Sequence, residues 1–285
     1  MPPQERTPSL GPDDRDVVAA AREALHPLLD ELRPELLARS GNVELELKDD
    51  GTPVTSVDLE VNDRLLARLS EVFPEHTVVS EELVTGHEDS RWTWIVDPID
   101  GTSNFISGLP YWCISMALTL DGHPVLGLVE APPVAARYEA VAGEGATGNG
   151  EPLSVMPPVD WSDRRNRHVP LLLTTATARR ARPAVRLNPR VMGSAALDLC
   201  QVAAGNAAAS LSFAPKVWDV AAGVLLILEA GGEYLTLDGP PLLPLRADTE
   251  YAGRSAPAAA GPNADYLRAL VDTLVTDPIA VPRAR

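Results

Sequence analysis

Apolar residues recur at helical spacing from Asp13 to Arg39, at Val17, Ala20, Ala24, Leu28, Leu32 and Leu36, and predict an amphipathic helix. Pro27 and Pro34 fall inside this pattern and predict a kink or a split. Residues 1–12, polar and proline-rich, read as a disordered lead-in that lacks the apolar core of a signal peptide. Val43–Leu47 alternates as a strand does, and Lys48-Asp49-Asp50-Gly51 is a turn behind it. Thr52–Asp58 leads into a second helix whose apolar stripe is Val61, Leu65, Leu69 and Val72, with Pro74 as its stop. His76–Val79 is a short strand, closed by Ser80-Glu81-Glu82. Trp94–Val96 reads as a buried strand. Trp112–Leu120 and Val125–Glu130 form a hairpin about Asp121–Pro124, and Ala136–Ala142 adds a strand before the glycine-rich turn Gly143–Gly150.

Beyond this point the pattern weakens. Residues 155–185 are rich in Arg and Pro and read as a variable connection, the stretch Arg164–Arg186 as a solvated loop. Ser194–Ala207, Trp218–Ala230 and Asp265–Leu274 read as helices, and Glu233–Leu237 as a strand. Strands and helices mixed in this way, several strands paired by hairpin, predict an α+β or layered α/β architecture.

Hydrophobic residues make up 45% of the 285-residue chain, ordinary for a protein that buries a real core. The longest plain apolar run, Val220–Leu228, falls well short of the roughly 20 residues of a membrane span. A formal charge of −16 argues against binding to a nucleic-acid polymer or an anionic membrane. It leaves room for a small phosphorylated substrate if bound cations invert the local field. The two cysteines, Cys113 and Cys200, make neither a disulfide framework nor a zinc motif, and a reducing cytoplasm fits them best.

The chemistry concentrates in Trp94-Ile95-Val96-Asp97-Pro98-Ile99-Asp100-Gly101-Thr102-Ser103-Asn104-Phe105. Pro98 stiffens the end of a strand that presents two carboxylates, the oxygen ligands a hard cation such as Mg²⁺ takes. Gly101 allows close backbone approach, and its amide and that of Thr102 can donate to an anion. A plain Pro-Asp-Gly turn has the same composition. Asp58, Glu81 and Asp219 also sit at element boundaries, where each has an ordinary reading as a cap or a solvated charge. Together with Asp97 and Asp100 they supply oxygen ligands for two or three cations.

Asp97-Pro-Ile-Asp-Gly-Thr-Ser-Asn-Phe105 resembles the first signature of the inositol monophosphatase family of Mg²⁺-dependent, lithium-sensitive phosphatases. Trp218-Asp-Val-Ala-Ala-Gly223, running on to Glu229-Ala-Gly-Gly232, resembles the second, and Ser80-Glu-Glu82 and Pro53–Asp58 fall in the family's order. The resemblance spans roughly Asp13 to Asp272. It implies a layered αβαβα sandwich of two closely joined halves, an α+β half over residues 13–152 and an α/β half over 153–285, and commonly a homodimer. It also implies that Glu81, Asp97 and the carbonyl of Ile99 hold one Mg²⁺, that Asp97, Asp100 and Asp219 hold a second, and that Glu81 with solvent holds a weaker third. Gly101 and Thr102 would bind phosphate, while Thr102, Asp58 and Glu81 orient an attacking water.

Substrate identity in this family lies in the second half. Gly193, Ser194 and Ala195, at a helix start, are the expected substrate contacts, with Arg190 a further one. The animal enzymes carry an inositol-binding acidic residue seven positions before the second-signature Asp; here that position is Ser212. The segment Lys48–Thr55 is similar to bacterial branches that include histidinol-phosphate phosphatases and nucleotide 3′-phosphatases acting on adenosine 3′,5′-bisphosphate. The expected function is Mg²⁺-dependent hydrolysis of a small phosphate monoester, those two activities being alternatives and a non-catalytic regulatory module on the same fold a third.

Overall fold

The computed structural model describes residues 8–48, 53–83, 90–247 and 249–275. The expected turn at Asp49–Gly51, His87 and most of the lead-in lie outside these residues. In chain order the first part comprises α1 (Pro12–Arg39), β1 (Glu46–Leu47), β2 (Pro53–Val54), α2 (Ser56–Val72), β3 (Thr77–Ser80), β4 (Trp92–Asp100), α3 (Thr102–Ser107), β5 (Cys113–Leu120), β6 (His123–Ala131), β7 (Ala136–Val141), β8 (Gly145–Gly148) and β9 (Glu151–Pro152). There follow β10 (Pro170–Leu173), α4 (Thr175–Arg180), β11 (Arg182–Pro183), β12 (Asn188–Arg190), α5 (Ala195–Ala203), β13 (Ala209–Ser212), α6 (Val217–Glu229), β14 (Glu233–Thr236), β15 (Ala258–Gly261), α7 (Ala264–Val271) and β16 (Leu274–Val275).

Strands β3 to β9 form one seven-stranded sheet in sequential order, β3 and β4 parallel and the remainder antiparallel. Every residue of β4 is buried, without alternation, because α2 packs on this strand and α6 packs on it as well. A second sheet runs β12-β10-β13-β15-β14. Its residues alternate between two cores: Leu172, Ala258 and Ala260 join the main core, while Leu171, Leu173, Leu211 and Ala259 face Tyr266, Leu267 and Leu270 of α7. Helices α5 and α6 pack together between the two sheets. The layers are therefore α1/α2, sheet, α5/α6, sheet and α4/α7, an αβαβα sandwich. Only a helix enclosed on all sides tolerates the composition Val-Trp-Asp-Val-Ala-Ala-Gly-Val-Leu-Leu-Ile-Leu-Glu of α6.

Three expectations change. α1 runs unbroken through Pro27 and Pro34. Both prolines are exposed and seven residues apart on one face, so the missing hydrogen bonds fall on the solvent side of the helix. The segment 155–185 is not a plain connection: it carries a short 3₁₀ turn at Arg164–His168, then β10 and α4. The final helix ends at Val271, and Leu274–Val275 instead pairs antiparallel with Arg182–Pro183. Charge ties α1 to the first sheet. The fully buried carboxylate of Glu130 is held by Arg33 at 2.7 Å and Arg137 at 2.6 Å, and Arg137 reaches Asp30 of α1 at 2.8 Å. Among the described residues no helix is long and apolar enough to cross a membrane.

Candidate active site

Residues three apart on a regular strand point to opposite faces. Asp97 and Asp100 avoid this because β4 bulges between them: Asp97 pairs with Ser115 and Asp100 with Cys113, so three residues of β4 span two of β5. Both carboxylates are thereby brought to one side of the strand end. Asp97 is buried and its Oδ1 accepts from the amide of Ile99 at 3.1 Å. Asp100 Oδ2 accepts from Ser194 Oγ and from the amide of Ala196, both at 2.6 Å, so the first turn of α5 closes on it.

Gly101 has φ +94°, the left-handed conformation that lets the chain turn from β4 into α3. A Cβ here would lie 3.0 Å from the carbonyl of Tyr111 and 3.3 Å from that of Gly193, so side chains are excluded twice over. Thr102 opens α3, and its hydroxyl lies 3.0 Å from the carbonyl of Ile99 and 3.2 Å from Asp58 Oδ1. Asp58 is fixed from behind by a capping box, its Oδ2 accepting from the Thr55 amide at 2.9 Å and the Thr55 hydroxyl at 2.6 Å. Burial pushes its carboxyl up to about 6, and the Thr55 hydrogen bonds restrain that rise.

Glu81 follows β3, tied through its amide to the carbonyl of Val96 at 3.1 Å. Lys48 Nζ donates to Glu81 Oε1 at 2.9 Å and to Glu82 Oε1 at 2.8 Å. Asp219 occupies the first turn of α6 and accepts from the amide of Lys216 at 2.8 Å. Burial lifts Asp97 well above the usual carboxylate range, and Glu81, Asp100 and Asp219 lift it further. Asp219 is raised likewise, by burial and then by Asp100. Burial raises Glu81 against the pull of Lys48. Carboxyl groups gathered in this way hold protons for want of positive charge.

Among the described residues no three His, Cys, Asp or Glu side chains are already gathered closely enough to hold an ion. Asp100 is turned onto α5 and Glu81 onto Lys48. The chemistry of the set nonetheless fits a hard divalent cation. Every donor is an oxygen, Asp97 and Asp100 are buried and Asp219 is partly so, and burial raises all three above the ordinary carboxylate range.

The remaining expected residues are placed unequally. Ser194 is buried against Asp100, and Gly193, with φ +95°, packs against Gly101 and Asn104. Ala195 and Ser212 line a small cavity behind the carboxylates, with Ser210 and Tyr234. Arg190 is exposed on the edge strand β12, its guanidinium folded back on Asn188 and on the carbonyl of Pro189, and among the described residues no hydrogen bond ties it to the carboxylates. Sequence reasoning overlooked Lys48 as a partner of Glu81. A lysine directly behind an alternating segment was the available signal. It also overlooked Asn104, Tyr111 and Asp198, which bond to one another's neighbourhoods across as many as 88 residues of chain.

Comparison with known proteins gives the family. The model of the inositol monophosphatase family matches residues 13–270. An inositol-1-monophosphatase of Mesorhizobium japonicum is 36% identical over 210 residues, 70% of this chain and 77% of that protein. The Nus factor SuhB of Pasteurella multocida is 33% identical over 218 residues, 70% and 78% of the two chains. A solved IMPase/NADP phosphatase complexed with Mg²⁺ and phosphate superposes with a TM-score of 0.71 at 26% identity, covering 87% of this chain and 91% of its own. The chain belongs to the inositol monophosphatase family. It is a phosphoric monoester hydrolase.

Proposed function

We propose that this enzyme hydrolyses the phosphate monoester of a small alcohol, with Mg²⁺ as its cofactor. The observation that carries the reading is the set of carboxyl groups, Asp97 and Asp100 buried and Asp219 and Glu81 partly so, raised together beside a left-handed glycine and a threonine hydroxyl. Glu81, Asp97 and the carbonyl of Ile99 would hold one ion, Asp97, Asp100 and Asp219 a second, and Glu81 with solvent a third. When bound, such ions acidify water, neutralise the phosphate and stabilise the leaving oxygen.

The chain's own groups supply orientation. The backbone at Gly101 and Thr102 receives the phosphate, close to a glycine that no side chain can shield. Thr102, held between Asp58 and Ile99, offers its hydroxyl to the attacking water, and Glu81 faces the same region. Asp58 holds Thr102 rather than reacting itself. Ser194 and the first turn of α5 stand beside Asp100, where the alcohol would leave. With both cysteines unpaired and buried, a reducing cytoplasm is the compartment we assign.

Asp97→Asn keeps the shape of the side chain and removes the charge two ions would share. Turnover is expected to fall by roughly three orders of magnitude or more. The assay is phosphate release with Mg²⁺ over inositol 1-phosphate, histidinol phosphate, fructose 1,6-bisphosphate, adenosine 3′,5′-bisphosphate and NADP. One dominant substrate names the alcohol. Undiminished turnover by the Asp97→Asn enzyme would sink the assignment of the site.

A further inference from the structure

The groups that would touch phosphate are wrapped in a hydrogen-bonded ring that the chemistry itself does not use. Asn104, in the first turns of α3 and nearly buried, spends both protons of its amide nitrogen on backbone carbonyls of distant segments: Tyr111 O at 2.7 Å and Met192 O at 2.8 Å. These two segments are the ones that flank Gly101, whose would-be Cβ meets Tyr111 O and Gly193 O. The hydroxyl of Tyr111 donates in turn to Asp198 Oδ1 at 3.0 Å. Asp198 lies on α5, the helix whose start grips Asp100 through Ser194 and Ala196. From Asn104 the ring thus runs to Tyr111, to Asp198, back along α5 to Ser194 and Met192, and to Asn104 again. Gly101 sits inside it.

Two features say that the ring is built for placement. Gly193, at φ +95°, has the Asn104 amide nitrogen 2.8 Å from its would-be Cβ, so a glycine is required for the clamp to reach Met192. Asp198 is 1% exposed, and its Oδ2 has no hydrogen-bond partner. A carboxyl group buried at that cost for a single hydrogen bond to a tyrosine has been kept for what the tyrosine does. Burial favours its neutral form, which still accepts from Tyr111 through Oδ1 and leaves the hydroxyl proton on Oδ2 without an acceptor.

We propose that Asn104, Tyr111 and Asp198 are positioning residues of this enzyme: they lock the segments 109–112 and 191–193 over Gly101 and so set the phosphate-binding backbone relative to Asp100. The proposal rests on the phosphatase reading above. The three residues touch neither the phosphate nor a cation. Their removal loosens the site by fractions of an ångström, which is enough to cost rate where reacting groups must be aligned.

The test uses full-length enzyme with Mg²⁺, steady-state hydrolysis of p-nitrophenyl phosphate, and the rise in melting temperature produced by inorganic phosphate. Tyr111→Phe and Asp198→Ala are expected to lower kcat/KM at least tenfold and to shrink the phosphate-induced rise. Asp198→Asn keeps the accepting oxygen, is neutral, and should stay within about threefold of the parent. A role confined to folding would lower the melting temperature while leaving kcat/KM and the phosphate response of the folded enzyme unchanged, and that result overturns the proposal. So does an Asp198→Asn enzyme as impaired as Asp198→Ala, because the ring needs an acceptor and not a charge. If the parent enzyme hydrolyses no ester, the activity reading falls. Loss of the phosphate response in Tyr111→Phe alone would still support the ring, and an unchanged response would remove it too.

Discussion

At Thr102 a single hydroxyl lies within reach of two acceptors, Ile99 O at 3.0 Å and Asp58 Oδ1 at 3.2 Å. One proton serves one of them at a time, and the lone pairs left over are what a water molecule can donate to. Thr102→Val preserves volume and β-branching while removing this arrangement. Kcat is expected to fall by about 10²–10⁴-fold with the fold intact, and Thr102→Ser should recover most of it. Steady-state kinetics beside a circular-dichroism melt separates that outcome from mere destabilisation. The order Asp97, Asp100, Gly101, Thr102 made this cluster legible in the sequence. That Asp97 and Asp100 share a side was not, because it depends on the bulge, and the bulge exists only in the register of β4 against β5. Lys48 escaped for a related reason: its two carboxylate partners lie 33 and 34 residues away.

Helix α6 shows how the elements impose their own constraints. It lies against α5 so closely that a Cβ on Gly223 would sit 2.6 Å from the Cβ of Leu199 and 2.4 Å from its Cδ1. On the sheet side, a Cβ on Gly127 of β6 would meet the carbonyl of Ala222 at 2.8 Å. The helix is therefore held between two contacts that tolerate no added atom. Gly223→Ala gains about 1 kcal/mol in helix propensity. Overpacking of about 1–3 kcal/mol outweighs it. A lower urea midpoint with an unchanged slope is the expected result, and a rise in the midpoint would show that α5 and α6 separate at little cost. Helix α6 announced itself through its apolar run, as did the first sheet through its hairpins. Of the second sheet only β14 did, as the expected strand Glu233–Leu237. Its strands are four residues or fewer, and β13 and β15 are built largely from alanine and serine or glycine, types with little strand preference. Their pairing is fixed by α5 and α7 packing on either face, which no local window of sequence contains.

For the molecule as a whole, the main electrostatic feature is negative charge drawn inward. The chain carries a formal charge of −16, and part of that excess sits where α3, α5 and α6 begin, in carboxyl groups that burial keeps protonated above their ordinary range. A carboxyl whose pKa is higher in the folded chain than in the unfolded one binds its proton more tightly when folded. The stability this confers is full below the ordinary carboxylate range and is lost as pH rises through the raised values. Without a divalent ion the enzyme should therefore become less stable as pH is raised above the ordinary carboxylate range. A bound cation replaces the protons and reverses the sign, since the carboxylates must ionise to bind it. Saturating Mg²⁺, at about 100 times its dissociation constant, contributes about 2.7 kcal/mol. The gain from Mg²⁺ should be greatest at the highest pH, where the ion-free protein has lost most. Melting curves at several pH values, in chelator and in Mg²⁺, measure both slopes. Asp97→Asn removes one of the carboxyls that titrate, so its melting temperature in chelator should depend less on pH and its response to Mg²⁺ should be weaker. An Asp97→Asn variant that retained the parent's full pH slope and its full response to Mg²⁺ would mean that the buried carboxylates are not where the cation acts.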